Sequence, residues 1–283
     1  MQASYFIPEE KLGNFMKDGA MNWQYGIQFY GLTNTEKARR MLPPPLEAVE
    51  QDGEAVFYAY IVNIREPTFA PWYMEGGIGI MARLGDQGGL YFLGLQLSGP
   101  GALMGAFSGR EGSGLPKKLC DRIVVHRTGD KGHCFIERKG VRLIDIELDI
   151  GQYNDPSFSQ PQEGCSRENP IITEGGCLLH KYRMSSNGFS DMEIVYYDSP
   201  SRFYSWEPAT AKITLQSSID DPWGEVVIDK VLGAGWMVSD NMVSGVNTIY
   251  RYDDPADITR AMQNLFAGRY DQCTLCSEHQ QYE

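Results

Sequence analysis

The sequence predicts a mainly β (α+β) fold, a single domain of antiparallel strands in closed or sandwich-like sheets with a few peripheral helices. Short runs dense in aromatic and β-branched residues recur from Ala55 to Tyr252. Glycine-containing turns separate several of these runs, as hairpin connections do. The regular alternation of helix and strand that a doubly wound parallel sheet requires is missing. At 283 residues the chain can bury a substantial core. No repeat or low-complexity tract divides it, so residues 1–283 are expected to form one domain.

The elements follow in order. Cap-type residues Thr33-Asn34-Thr35 open a helix that ends before Pro43-Pro44-Pro45. The run Ala55 to Val62 reads as a strand. Arg122 to His126, Cys134 to Glu137 and Val141 to Ile146 read as three more, separated by turns at Asp130-Lys131-Gly132 and Lys139-Gly140. Residues 151–170 combine three prolines with Asn, Asp, Ser, Gln and Gly, the composition of a long surface loop. Later strands are expected at Cys177 to Tyr182, Met192 to Tyr197, Ala211 to Gln216, Glu225 to Val231 and Thr248 to Tyr252. Asp220-Asp221-Pro222-Trp223-Gly224 reads as a turn. Asp254-Pro255 opens a second helix, with aspartate as N-cap, proline at the first helical position and Gly268 as its stop. A flexible tail is expected over 270–283.

A net charge of −12 argues against nucleic acid, whose phosphates need clustered Lys and Arg. No stretch reaches the roughly 18 apolar residues of a membrane span, and Met1–Glu10 lacks a basic start and an apolar core. A cytoplasmic location is expected. The six cysteines are too sparse for a disulfide scaffold. Cys273-Thr274-Leu275-Cys276, with His279 beyond it, is a single Cys-x-x-Cys, whereas a zinc site normally takes two such pairs. Reduced thiols in a frayed tail are the simpler reading, and no metal is expected.

Two glycine motifs fail in context. Gly77-Ile78-Gly79-Ile80-Met81-Ala82 has the form of a dinucleotide-binding turn, yet Gly85, Gly88 and Gly89 crowd the stretch where its helix must begin. Gly109 to Gly114 has the spacing of a phosphate-binding loop, but Leu115 stands where the lysine belongs. No cofactor is therefore expected. His126, His133, His180 and His279 lack metal-binding spacing and read as strand or tail residues.

The chemistry lies in Gly109-Arg110-Glu111-Gly112-Ser113-Gly114-Leu115-Pro116-Lys117-Lys118. Adjacent lysines are ordinarily a solvated surface pair. Here they follow a proline that ends a glycine-dense turn, which constrains how they are presented. A lysine in water holds only about one amine in 2,500 free at neutral pH. Desolvation or a neighbouring cation favours the free amine and so prepares it to attack a carbonyl.

Gly109-Arg110-Glu111, four residues, then Pro116-Lys117-Lys118-Leu119 resembles the signature of the acetoacetate decarboxylase superfamily. Tyr73-Met74-Glu75-Gly76-Gly77 resembles its Tyr-x-Glu-x-Gly segment, and Leu42-Pro43-Pro44-Pro45-Leu46-Glu47 its proline motif. Ala211-Lys212-Ile213-Thr214 resembles a strand of its C-terminal half. The resemblance implies a β-barrel or cone-like fold whose interior holds the lysine. Carried over residue by residue, it makes Lys117 the Schiff-base amine, Glu75 the active-site glutamate and Tyr73 a substrate-binding residue, while Lys118 either lowers the pKa of the amine through its charge or helps set the turn. Arg110 is a further cation to hold an anionic substrate. Two positions depart from the family: Gln24 stands for an arginine that pairs with the glutamate, and Tyr60 for a second carboxylate. Both become neutral hydrogen-bonding groups in the substrate pocket.

The expected function is a cofactor-free lyase that forms a Schiff base between Lys117 and a ketone. The first reading is decarboxylation of a β-keto acid other than acetoacetate. The alternatives are an aldolase or dehydratase acting on a 2-oxo acid through the same lysine, or a non-catalytic binding protein on the same fold. The expected partner is a small keto compound, with neither nucleic acid nor membrane; homo-oligomerisation stays open.

Overall fold

The computed structural model describes residues 4–13, 15 and 19–275. Among the described residues sixteen strands form one sheet. From one edge the path runs through Gly245–Arg251, Gly188–Asp198, Gly176–Ser185, Gln87–Ser98, Tyr73–Leu84 and Glu54–Pro67. It continues through Ala20–Thr33, Ile228–Met242, Ser201–Leu215, Val141–Ile150 and Lys131–Arg138 to Arg122–Thr128. Neighbours pair antiparallel with two exceptions: Cys177 lies parallel to Leu90, and Lys117–Leu119 runs parallel to Leu95–Leu97. The path has two free ends, so hydrogen bonding does not close it into a barrel. It curls into a cone instead. Ile136, near one end, reaches the middle of the sheet, where a Cβ added at Gly76 would lie 2.8 Å from its Cδ1. That contact is why this strand position carries no side chain.

The central strands are buried on both faces, and strand alternation sorts their residues. Ile27, Phe29, Phe57, Ala59, Ile61, Ile78 and Ile80 enter the main core. Gln28, Tyr30, Tyr58 and Tyr60 point the other way and line a cavity. A strand covered on both sides carries no apolar–polar alternation. Ala20–Thr33, Tyr73–Leu84 and Gln87–Ser98 were therefore not legible as strands, and glycines interrupt all three.

A third substantial helix, Ala102–Ser113, occupies much of the stretch read as a glycine-dense turn. Gly114 ends it in the left-handed conformation at φ 84°, its N–H bonded to the carbonyls of Gly109 and Arg110. Gly109 has no room for a side chain: a Cβ there would lie 2.8 Å from Cε of Lys117. The two expected helices are present at Thr35–Met41, capped by Asn34, and Pro255–Arg269, capped by Asp254. The second passes through Gly268, where an added Cβ would meet the Leu93 carbonyl at 2.5 Å. The glycine there permits close packing and is not a stop. The strand expected from Glu225 begins at Ile228, after the short helical turn Trp223–Glu225. Among the described residues no helix is long and apolar enough to cross a membrane. Cys276 and His279 lie outside the described residues.

His180 is buried in the strand Gly176–Ser185. Tyr252 donates its hydroxyl hydrogen to the Pro44 carbonyl, so His180 Nε2 donates to the Tyr252 oxygen at 2.9 Å. Nδ1 then has no partner. Burial, with the Arg269 charge adding to it, lowers the imidazole pKa from 6.5 to about 3. The unfolded chain binds a proton in that window and the folded chain does not, so His180 contributes stability above pH 6.5 that is lost as pH falls towards 3. Urea unfolding of His180→Phe should show a shallower loss of stability across this window than the parent protein.

Candidate active site

Three short-range features place Lys117. Its strand, Lys117–Leu119, is pinned to Leu95–Leu97 by parallel pairing. Arg110 Nη1 donates to the Lys117 carbonyl at 3.2 Å. The helix Ala102–Ser113 covers its side chain, with Gly109 leaving the space. The amine is buried, at 3% residue exposure. Its Nζ stands 2.6 Å from Glu75 Oε2, 3.4 Å from the Gly105 carbonyl oxygen and 6.0 Å from the centre of the Tyr73 ring. The other carboxylate oxygen, Glu75 Oε1, accepts a 2.5 Å hydrogen bond from the Tyr60 hydroxyl. Burial raises the Tyr60 pKa well above the ordinary phenol range, and the Glu75 charge raises it further. Tyr60 is thus a proton-bearing donor. Tyr73 is fully buried and its hydroxyl has no partner.

Lys117, Glu75, Tyr60 and Gln24 share the wall of one cavity of about 300 Å³. Its other walls are largely apolar, including Phe92, Leu90, Met81, Phe203 and Met237. Gln24 donates to Ser239 Oγ at 3.0 Å and stands with Asn241 on the cavity's polar side. Among the residues that line it, only Lys117, Glu75 and Glu174 carry charge.

Tyr73, Arg110 and Lys118 are placed elsewhere. Tyr73 lies beside the amine without lining the cavity. Arg110 stacks over the Tyr270 ring at 5.7 Å on the outer side of the strand Lys117–Leu119, so it holds the backbone of Lys117 and does not line this cavity. Lys118 points away from Lys117 because consecutive strand residues face opposite sides. Its Nζ donates to the Asp220 carbonyl at 2.8 Å and lies 3.2 Å from both Asp221 Oδ1 and Asp271 Oδ1. These carboxylates compensate its charge, so Lys118 is an anchor of the strand and not an unpaired cation beside Lys117.

The anchor extends further. Arg138 pairs with Asp221 at 2.5 Å and Asp271 at 2.8 Å, while Lys139 pairs with Asp220 at 2.6 Å. Asp220 and Asp221, read as a simple turn, are instead buried members of this network. Asp271, at the start of the expected tail, is tied to it as well. Desolvation alone would raise the Asp271 pKa, but hydrogen bonds from Arg138 and Lys139 hold it below the usual carboxylate range.

The cavity also uses residues the sequence reading missed. Gln160–Gln162 of the expected surface loop forms part of its wall, and Gln162 is buried. Tyr153 and Phe158 of that loop meet edge to face at 5.0 Å, and Phe158 contacts the Tyr30 ring at 5.4 Å. Tyr30 and Tyr58 pack edge to face at 5.2 Å. The available signal was the every-second-residue placement of Gln28 with Tyr30 and Tyr58 with Tyr60, opposite the core residues.

Removing one member of a buried ion network leaves the other charges uncompensated. Lys118→Met should therefore lower stability by about 3–5 kcal/mol in urea unfolding, a loss that an exposed lysine would not produce.

The geometry can be set beside known proteins. The family model described as acetoacetate decarboxylase matches residues 7–252. A "CLA biosynthesis isomerase" of Lactiplantibacillus plantarum is 32% identical over 278 residues, covering 95% of each chain. The structure of acetoacetate decarboxylase from Legionella pneumophila subsp. pneumophila superimposes with a TM-score of 0.69 at 13% identity, covering 89% of this chain and 99% of that one. The enduracididine biosynthesis enzyme MppR, complexed with the condensation product of pyruvate and imidazole 4-carboxaldehyde, gives a TM-score of 0.62 at 12% identity, covering 88% and 97%. At these identities the solved structures speak to the fold alone. The family match and the sequence identity to the curated relative establish that this chain is a member of the acetoacetate decarboxylase family.

Proposed function

We propose that Lys117 forms a Schiff base with an unsaturated ketone and that Glu75 moves a proton along it, shifting a carbon–carbon double bond. One observation carries this reading: the buried amine and carboxylate, 2.6 Å apart, open on a cavity that offers no second cation to an anionic group. The relative named as an isomerase supports it.

The steps balance without a redox partner. Glu75 takes a proton from the ammonium, and the free amine adds to the carbonyl carbon. The protonated Glu75 returns that proton to the carbinolamine hydroxyl, which leaves as water, and an iminium remains. Glu75, held by Tyr60, then removes the proton between the iminium carbon and the double bond. The electrons pass into a dienamine. The same carboxyl reprotonates the far carbon of the former double bond, giving a conjugated iminium. Water adds and the amine departs, releasing the isomerised ketone. The apolar walls suit this substrate because they exclude water and shelter the iminium from other nucleophiles.

A second reading, decarboxylation of a β-keto acid, is favoured by the family match. The same iminium accepts the electron pair of the carbon–carboxylate bond, carbon dioxide leaves, and the enamine is protonated at carbon. The cavity lacks an arginine for the carboxylate, with neutral Gln24 in the wall. Acetoacetate should then be a poor substrate. Longer ketones should gain about 0.8 kcal/mol for each buried methylene.

Borohydride reduction with a β,γ-unsaturated ketone should place the added mass on Lys117, and Lys117→Arg should abolish both labelling and turnover, since guanidinium stays protonated. Labelling of Lys118 alone, or of neither lysine, would overturn the Schiff-base assignment. With a substrate deuterated between the carbonyl and the double bond, the isomerase reading expects part of that deuterium in the product at the position distal to the carbonyl. Release of carbon dioxide from β-keto acids without any double-bond shift would establish the second reading instead.

Tyr60→Phe removes one hydrogen bond to a charged group. It should slow borohydride trapping and turnover by roughly 10- to 100-fold while Lys117 remains the labelled residue. An unchanged rate would show that Tyr60 does not support Glu75.

A further inference from the structure

Across Lys117–Leu119 from the cavity lies an open cleft of about 640 Å³; Lys117 lines both, with its Nζ paired to Glu75 on the cavity side. Arg110, Lys181 and Arg269 line it. Among the described residues none of the three forms an ion pair with a carboxylate. Their hydrogen-bond partners are backbone carbonyls: Arg110 to Lys117 at 3.2 Å, Lys181 to Gly112 at 3.1 Å, and Arg269 to His180 at 2.7 Å and to Gly114. A carbonyl satisfies a donor without neutralising its charge. Arg269 is the telling member, at 6% exposure with its Nε unpartnered. Burial disfavours its charged form, Tyr182 and Tyr91 beside it offset part of that, and the positive charge of Arg110 adds to it. Glu111, exposed on the rim, is the one acid among the lining residues. In a chain of net charge −12 this concentration of uncompensated cations runs against the overall balance.

Leu103, Phe107 and Met184 line the same cleft and are exposed to solvent. A free phosphate would use the cations and leave these side chains in water. We propose that the cleft binds an oxyanion carried on an apolar body, an aliphatic carboxylate. The guanidinium fork of Arg110 fits a carboxylate, Arg269 supplies field from below, and the apolar rim holds the chain. Arg110 also grips the Lys117 carbonyl, so occupancy draws on a group that positions the reactive amine.

Calorimetric titration of the full-length protein with octanoate, and separately with inorganic phosphate, tests this at constant ionic strength. Octanoate should bind one site with a dissociation constant on the order of 1 mM. Arg110→Met and Lys181→Gln should each weaken it by about 10-fold. Prior ketone–borohydride labelling of Lys117, which fills the cavity, should leave octanoate binding intact. Four results overturn the proposal: no saturable binding; binding indifferent to both substitutions; binding lost on labelling of Lys117; or a change of assembly mass in Arg110→Met, which would mark the cleft as a contact between copies. Phosphate binding in preference to octanoate overturns the choice of a carboxylate.

Discussion

A lysine and a glutamate withdrawn together from water must each find compensation on the spot, because an isolated buried charge costs several kcal/mol. Lys117 and Glu75 provide it for one another at 2.6 Å, and much of the surrounding architecture maintains that distance. Tyr60 holds the far oxygen of Glu75. The Gly105 carbonyl faces the amine, and Gly109 leaves the lysine chain a channel beneath the helix. In the proposed reaction the same closeness gives a proton a short path from nitrogen to oxygen, so that Glu75 frees the amine for an entering carbonyl.

Keeping a three-residue strand in register is a separate problem. Parallel pairing along one side supplies few hydrogen bonds, so the strand is also held by its side chains. Lys117 looks inward to the cavity and Lys118 outward to Asp220, Asp221 and Asp271. The adjacent lysines divide the work by strand geometry: one is kept available and the other is tied down. The network reaches the hairpin at Arg138 and Lys139 and the chain beyond the last long helix. Distant parts of the sequence therefore meet at the back of the site.

Much of this was legible in the residues, and the exceptions have physical causes. Exposed hairpins such as Arg122 to Ile146 show their turns and were readable from pattern. Ala20–Thr33 and Tyr73–Leu84 were not, since burial on both faces erases alternation and close packing demands glycine. The helix over Lys117 was hidden for a related reason: Gly105 and Gly109, poor helix formers, are there to admit Tyr73 and Lys117. The motif around Lys117 and Glu75 pointed to the centre of the cavity, and the departures at Gln24 and Tyr60 pointed to its walls. The placement of Lys118 and Arg110 outside the cavity was not legible: alternation on the strand turns Lys118 away from Lys117, and Arg110 lies in a helix that the glycines concealed. The aspartates that balance Lys118 lie 102 residues or more away along the chain, beyond the reach of any local pattern.

The wall at Gln160–Gln162 belongs to a loop that takes no part in the strand ladder. Lys117 and Glu75 sit on strands whose register tolerates little change, while this side of the cavity can lengthen, shorten or change composition without disturbing a paired residue. The fold thus separates what must be inherited unchanged from what can drift. Diversification of substrate within such a lineage is expected to begin at this loop, leaving the amine and its carboxylate where they are.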